Sequence, residues 1–151
     1  EWTTYRLLDT VRLYGLGRLT ESGRVDDARE RHCAAFHHPL AALAPAQKFL
    51  DYGLQASVFR DWPNLTVAMD WAVTRGDAER AAQLLSGTYL MWLGFDGIPP
   101  EEGYRRSHTA LSAELSPATR AFTLMIASAA SSAAVTGLSS DLDFTSKSSL
   151  S

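Results

Sequence analysis

The sequence has little cysteine, no excess of basic residues and no long apolar run. Its single cysteine, Cys33, excludes an intramolecular disulfide among the 151 residues. The formal net charge of −3 excludes a domain that binds nucleic acid over its whole surface, although a local basic surface remains open. The longest weakly polar segment, 121–138, is interrupted by Thr and Ser, so we predict no membrane span and no membrane partner.

Two further absences bear on cofactors and on the cellular setting. The sequence has no GxxxxGK[ST] loop to cradle phosphates and no acidic strand end to hold magnesium, so we expect it not to bind ATP. Because it has one cysteine and no charged leader followed by an apolar run, we expect a reducing, cytoplasmic setting. It starts at Glu1 without methionine and enters EWTTYRLLDTVRLYG directly, so we expect a fragment of a larger polypeptide.

Hydrophobic residues make up 46% of the chain, which is enough for one domain with a core or for a row of small helical units. Residues 2–7 are rich in Thr, Tyr and Trp and suit a short strand. From Leu8 onward the apolar residues recur at helical spacing, which predicts a helix that ends at Gly23. Gly15 and Gly17 inside this helix each cost about 1 kcal/mol relative to alanine.

Two helical units follow. One helix is predicted from Asp26 to about Leu43, with a break at Pro39, and a further apolar segment occupies residues 41–52. The stretch NLTVAMDWAVTRGDAERAAQLL, residues 64–85, then predicts a helical hairpin. Pro63 fits the first turn of this hairpin, Gly76 ends its first helix, and Asp77 caps its second. The short break between the helices forces them to run antiparallel and to face each other.

The last predicted unit has clear helix starts. Pro99 and Pro100 open one helix, and Ser116 followed by Pro117 places a capping hydroxyl and a proline at the start of the next. That last helix is predicted to end near Val135.

The helix pairs recur at roughly the thirty-odd-residue spacing of tetratricopeptide-like arrays. The predicted fold is therefore all-α, with antiparallel helical hairpins stacked as a tetratricopeptide-like repeat array over residues 24–137. After Gly137 the sequence is dominated by serine and has no period, which predicts a disordered tail over residues 138–151.

Several of these segments resemble a known protein family. The stretch TTYRLLDTVRLYGLGRLTESG, residues 3–23, is similar to the junction in large actinobacterial signal-transduction ATPases of the STAND type, which include LuxR-type and AfsR-like transcriptional regulators. Asp61 followed by NLTVAMDWAVTRGD resembles a helical hairpin of that family. Looser matches are Arg31 with His32, and EGYRRSHTAL at residues 102–111.

The resemblance covers residues 3–137 and implies a domain organisation. Residues 1–23 would be the C-terminal remnant of a winged-helix module, with a short strand and a helix, and residues 24–137 would be tetratricopeptide-like repeats. The glycines at positions 15 and 17 and the tail depart from the family pattern, which suggests a truncated or decayed copy.

The same resemblance implies a non-catalytic interaction or sensor module of such a regulator. Its partner would be another protein or the ATPase module of the parent protein, to which a change in repeat packing is passed. The nucleotide-binding part would precede Glu1 and a LuxR-type helix-turn-helix would follow Ser151, so DNA would be bound only through modules outside this chain.

One cluster of side chains could in principle bind a metal or react with a substrate. Cys33 and His37 are four residues apart and could face one ion on a helix, with His32, His38 and a distant His108 as the remaining donors. Cys33 with His37 or His38 is also the one local nucleophile and base pair. No third group to orient them is recognisable, so we favour a cysteine packed in the core and assign no catalytic residue, metal or cofactor.

Charged residues allow two further interpretations. The adjacent acids Asp26–Asp27 and Glu101–Glu102 suit first helical turns better than hydrolysis, because neighbours on a helix point about 100 degrees apart. The N-terminal part is locally basic, and an alternative function is a DNA-binding transcriptional regulator acting through its arginines. These are Arg6, Arg12, Arg18, Arg24, Arg29 and Arg31. Acids are interspersed among them, which favours a solvated surface.

Aromatic residues are the candidates for partner binding. Aromatic side chains at helical spacing usually pack between repeats, but one or two of them could line a groove and anchor a partner. The candidate groove residues are Trp62, Trp71, Tyr89 and Trp92.

Overall fold

The computed structural model describes residues 8–42, 53, 58, 60–89 and 99–148, with side chains described up to residue 135. Within these ranges the chain is all-helical and has no strand, so the predicted all-α class is confirmed. The helices are α1 (Asp9–Glu21), α2 (Val25–Ala41), α3 (Trp62–Thr74), α4 (Ala78–Ser86), α5 (Pro100–Leu111) and α6 (Pro117–Ser148). The predicted strand at residues 2–7 and most of the segment 41–52 lie outside the described residues. The tetratricopeptide-like stacking stays a prediction.

The first two helices agree with the sequence except at one proline. Helix α1 ends at Glu21, and Gly23 has a φ of 66°, the left-handed conformation that glycine adopts most readily. The break expected at Pro39 was wrong, because α2 continues through it to Ala41. Pro39 lies in the last turn of α2. It removes one backbone hydrogen bond there, and only two residues of the helix follow it, so little of the helix is affected.

The central hairpin, α3 and α4, forms as the sequence predicts. Pro63 lies in the first turn of α3, and Gly76 at the turn has a φ of 74°. The Asp77 carboxylate accepts a hydrogen bond of 3.0 Å from the backbone N–H of Arg80, so it caps α4. Local chemistry alone therefore specifies where one helix stops and the next begins.

The last two helices begin at the predicted residues. Helix α5 starts at Pro100 and α6 at Pro117, where the Ser116 hydroxyl oxygen lies 3.4 Å from the backbone nitrogen of Thr119. Helix α6 extends to Ser148, beyond the predicted end near Val135 and into the segment expected to be a disordered tail. That segment contains no proline, so its backbone can continue the helix. The division of the chain into three domains stays a prediction.

Helix α4 lies at the centre of the described part, where it contacts α2, α3, α5 and α6. Its Leu84 and Leu85 are buried among apolar side chains of the surrounding helices. The other large members of this core are Leu40, Leu65, Met69, Trp71 and Ile126. Helix α1 differs from the rest because it has no buried residue and packs mainly on α2.

The two glycines inside α1 provide a test of how this helix is stabilised. A Cβ atom at Gly15 or Gly17 would meet no atom within 4 Å, so alanine adds helix propensity without a clash. We expect Gly15→Ala and Gly17→Ala each to stabilise α1 by about 1 kcal/mol, measured as slower amide hydrogen exchange in α1.

The matched control is Gly76→Ala, because the φ of 74° at Gly76 is unfavourable for alanine by about 1 kcal/mol or more. This variant should have a lower melting temperature than the unmodified chain. Faster amide exchange in α1 after Gly15→Ala or Gly17→Ala would contradict this prediction, because it would show that glycine is needed there for a packing contact.

Candidate interaction site

Trp71 is the centre of a polar cluster that joins α2, α3 and α4. Its side chain projects from α3 and is 7% exposed, so most of the ring belongs to the core. The indole N–H donates a hydrogen bond of 3.1 Å to Oε2 of Glu30 on α2. A buried tryptophan normally satisfies its single donor in this way, and here the partner comes from a different helix.

The other oxygen of Glu30 binds an arginine on α4. Arg80 donates to Glu30 Oε1 at 2.6 Å, and its Nε lies 3.3 Å from Asp77 Oδ2. The hydrogen bond from Arg80, followed by that from Trp71, lowers the pKa of Glu30 below its usual range, although burial opposes the shift. Glu30 therefore stays ionised and connects three helices through charge-assisted hydrogen bonds.

Two further arginines lie against the Trp71 ring. The guanidinium carbon of Arg29 is 5.5 Å from the ring centroid, and that of Arg75 is 5.6 Å from it. Both distances are within the range of a cation–π interaction. Both residues are exposed, and neither makes an ion pair with any described residue.

The structure places the predicted groove residues in different environments. Trp62 and Tyr89 are partly buried and pack against the core, whereas Trp71 is a core member. Trp92 lies outside the described residues. A groove that these four aromatics line together therefore stays a prediction. The sequence missed Glu30 and Arg80, because no local pattern connects residues that are 50 positions apart.

The cysteine and histidine cluster does not resemble a reactive site. Cys33 is fully buried, its thiol donates to the Ala68 carbonyl at 3.4 Å, and burial raises its pKa, which is the opposite of an activated thiol. The prediction that Cys33 packs in the core is confirmed. His37 contacts Gln83 on α4, with Nε2 2.6 Å from Oε1. Within the described ranges, no three His, Cys, Asp or Glu side chains come together as a metal site.

The charged candidates lie in helical turns and in ion pairs. The acidic pairs Asp26–Asp27 and Glu101–Glu102 occupy the first turns of α2 and α5, as predicted. Four N-terminal arginines are paired with carboxylates three or four residues away: Arg12 with Asp9, Arg18 with Glu21, and both Arg24 and Arg31 with Asp27. These four arginines share three carboxylates, which weakens the case for a DNA-binding surface on α1 and α2.

Glu79 organises a second polar network, between α4 and the start of α6. Its Oε2 accepts from the backbone N–H of Ser116 at 2.9 Å. Its Oε1 accepts from the hydroxyls of Ser116 and Thr119 at 2.8 and 2.5 Å and from the Gln83 amide at 2.9 Å. Burial raises the pKa of Glu79, but the hydrogen bonds from Thr119 and Ser116 outweigh it and hold the pKa below its usual range.

A small cleft of about 70 Å³ lies between α3, α4 and α5. Apolar side chains that include Met69 and Leu85 line it, together with Arg105 and Arg106. Arg106 binds Glu102 at 2.6 Å and Asp70 at 2.8 Å, so its charge is compensated by two carboxylates.

None of the helices in the described part is long and apolar enough to cross a membrane.

Comparison with known proteins links the chain to transcriptional regulators. Over 94 residues, 61% of this chain, it is 36% identical to proteins of Mycobacterium bovis and of two strains of Mycobacterium tuberculosis. Their names class them, provisionally, as HTH-type transcriptional regulators. The chain spans about a tenth of the length of these relatives. No family model matches the sequence, and no solved structure matches it.

Proposed function

We propose that this chain is a non-catalytic interaction module of a helix-turn-helix transcriptional regulator. The observation that supports this most directly is its 36% identity, over 94 residues, to mycobacterial proteins classed as such regulators. The matched segment is about 10% of each relative, so most of the regulator's length lies in other modules. A helical module of this kind would present a surface to a protein partner or to the ATPase module of a STAND-type regulator, in the cytoplasm.

The packing of the described helices fits this proposal. Helix α4 contacts four other helices, and the networks at Glu30 and Glu79 connect α2, α3, α4 and α6. A partner that binds on one helix can thus change the packing of the others, because tightly packed interfaces move between discrete arrangements. The alternative, DNA binding through the basic N-terminal part, is less favoured because Arg12, Arg18, Arg24 and Arg31 each lie within 4 Å of a carboxylate.

A chimera tests the proposal. The corresponding segment of the M. tuberculosis relative is replaced by this chain, and the transcripts that change when the relative is deleted serve as the readout. We expect the chimera to restore those transcript levels. A second chimera with Leu84→Ala, which disrupts the core of the module, should lose regulation while its purified form binds promoter DNA with unchanged affinity.

A DNA-binding measurement on the purified chain separates the two functions. Non-specific DNA binders have dissociation constants of roughly 10⁻⁴ to 10⁻⁶ M at physiological salt and bind more tightly as salt is lowered. We expect no change in the anisotropy of a labelled duplex at low salt. A salt-dependent increase would contradict the proposal and favour the DNA-binding alternative, as would a Leu84→Ala chimera whose promoter affinity falls.

A further inference from the structure

Arg29 and Arg75 differ from seven other arginines of the described part, because those seven are paired with carboxylates and these two lie against an aromatic ring. Arg12, Arg18, Arg24, Arg31, Arg80, Arg105 and Arg106 each lie within 4 Å of at least one carboxylate oxygen. Arg29 and Arg75 make no such pair within the described ranges, and both instead contact the ring of Trp71. One guanidinium without an ion pair therefore lies on α2, at Arg29, and the other lies at the residue that follows α3, at Arg75.

The two acids of this cluster, Glu30 and Asp77, bind other groups. Glu30 uses one oxygen for the Trp71 indole and the other for Arg80. Asp77 uses one oxygen for the backbone N–H of Arg80 and the other for the Arg80 side chain. Both carboxylates are thus oriented towards Arg80, and within the described ranges no carboxylate oxygen lies within 4 Å of a nitrogen of Arg29 or Arg75.

Contact with Trp71 also prepares the two side chains for binding. A guanidinium that rests on an aromatic ring loses part of its rotamer freedom in advance, so less entropy is lost when a ligand binds. Its N–H groups at the ring edge can still donate two parallel hydrogen bonds to one carboxylate. The buried Trp71 ring, fixed by its bond to Glu30, thus serves as a rigid support.

We propose that Arg29 and Arg75, supported by Trp71, bind acidic side chains of a protein partner. This inference rests on the proposed function, since it names the chemistry of the partner that the interaction module recognises. Two separate guanidiniums match two carboxylates of one acidic segment. Duplex DNA is a poorer fit, because its affinity requires many phosphate contacts and this surface offers two guanidiniums.

The test uses the purified chain and a fluorescein-labelled octapeptide of alternating Glu and Ser, with a Gln and Ser peptide of the same length as the neutral probe. We expect fluorescence anisotropy to show binding of the acidic peptide at low salt and no binding of the neutral one. The double variant Arg29→Gln/Arg75→Gln should bind the acidic peptide about tenfold more weakly, as expected for the loss of two exposed ion pairs.

The control is Arg12→Gln/Arg18→Gln, which removes an equal number of positive charges from α1. Both of these arginines are exposed and paired with acids. We expect its affinity for the acidic peptide to change by less than about twofold, because distant exposed charges are screened. Thermal melting of both double variants verifies that they fold.

Three results would overturn the inference: no binding of the acidic peptide, an equal loss in both double variants, or tighter binding of labelled duplex DNA through the same two arginines. The chimera experiment gives an independent result for the proposed function. If the chimera regulates transcription but the acidic peptide does not bind, the acidic-partner inference fails alone. If the chimera fails to regulate, the proposed function fails whatever the peptide does.

Discussion

Replacing Leu84 with alanine should lower the free energy of unfolding by about 3 kcal/mol, because it removes a buried side chain and leaves a cavity. Leu84 is fully buried on α4, the helix that contacts α2, α3, α5 and α6. Neighbouring side chains from these four helices cannot all move to fill the space. Since small domains have a total stability of about 5–15 kcal/mol, the loss should be visible as a lower urea midpoint with an unchanged slope.

The control is Leu13→Ala on α1, which makes the same chemical change at a side chain that is 60% exposed. We expect it to change the free energy of unfolding by less than about 0.5 kcal/mol. Equal effects of the two substitutions in urea unfolding would contradict the placement of α4 at the centre of the core. A loss confined to Leu13→Ala would mean that α1 is buried in solution against another surface.

The sequence was most informative where a single residue type determines the local backbone. Gly76 provides a positive φ, Asp77 caps α4, and Ser116 with Pro117 begins α6, all as predicted. These features depend on groups within three or four residues of one another, so they can be recognised without the tertiary structure.

The sequence was least informative about contacts between distant residues. Glu30 meets Trp71 and Arg80 across 41 and 50 positions, and nothing in the local pattern of α2 distinguishes this acid from its exposed neighbours. For the same reason the sequence could not separate Trp71, which packs in the core, from a groove residue. Pro39 was misread because its effect depends on how near it lies to the end of α2.

The Glu79 network also lies beyond sequence reasoning, yet its effect on stability should be large. Glu79 on α4 accepts two hydrogen bonds from Ser116 and one from Thr119, so it holds the first turn of α6 against α4. We expect Glu79→Ala to lower the free energy of unfolding by about 2 kcal/mol, because it leaves these donors without their charged acceptor in a partly buried site. Urea unfolding at pH 7 measures the change.

Glu101→Ala is a closely matched control. Glu101 is the second residue of α5, just as Glu79 is the second residue of α4, so both acids interact similarly with the helix dipole. Glu101 is exposed, and its removal should cost only the dipole interaction, about 0.5 kcal/mol. The difference in free energy of unfolding between Glu79→Ala and Glu101→Ala therefore measures the contribution of the Glu79 network. If they were equally destabilised, the hydrogen bonds from Ser116 and Thr119 would contribute nothing.

The same network makes stability depend on pH in a defined direction. The pKa of Glu79 in the folded chain is below its ordinary value of 4.5, because hydrogen bonds from Thr119 and Ser116 outweigh its burial. The stabilisation is therefore complete above pH 4.5 and is lost as the pH falls through the folded-state pKa. The pKa values of Glu30 and Glu102 are also lowered in the folded chain, so protonation of all three carboxylates should destabilise the unmodified chain in acid.

The variant Glu79→Gln measures the contribution of Glu79 to this pH dependence, since the amide keeps an acceptor oxygen and does not titrate. Urea unfolding from pH 7 to pH 3 should show a smaller loss of stability for this variant than for the unmodified chain. The two curves should approach each other as the pH falls towards the folded-state pKa of Glu79, because the charged form that the network favours is then progressively lost. Parallel curves over the whole range would mean that Glu79 titrates alike in both states, and the network would then not favour its charged form.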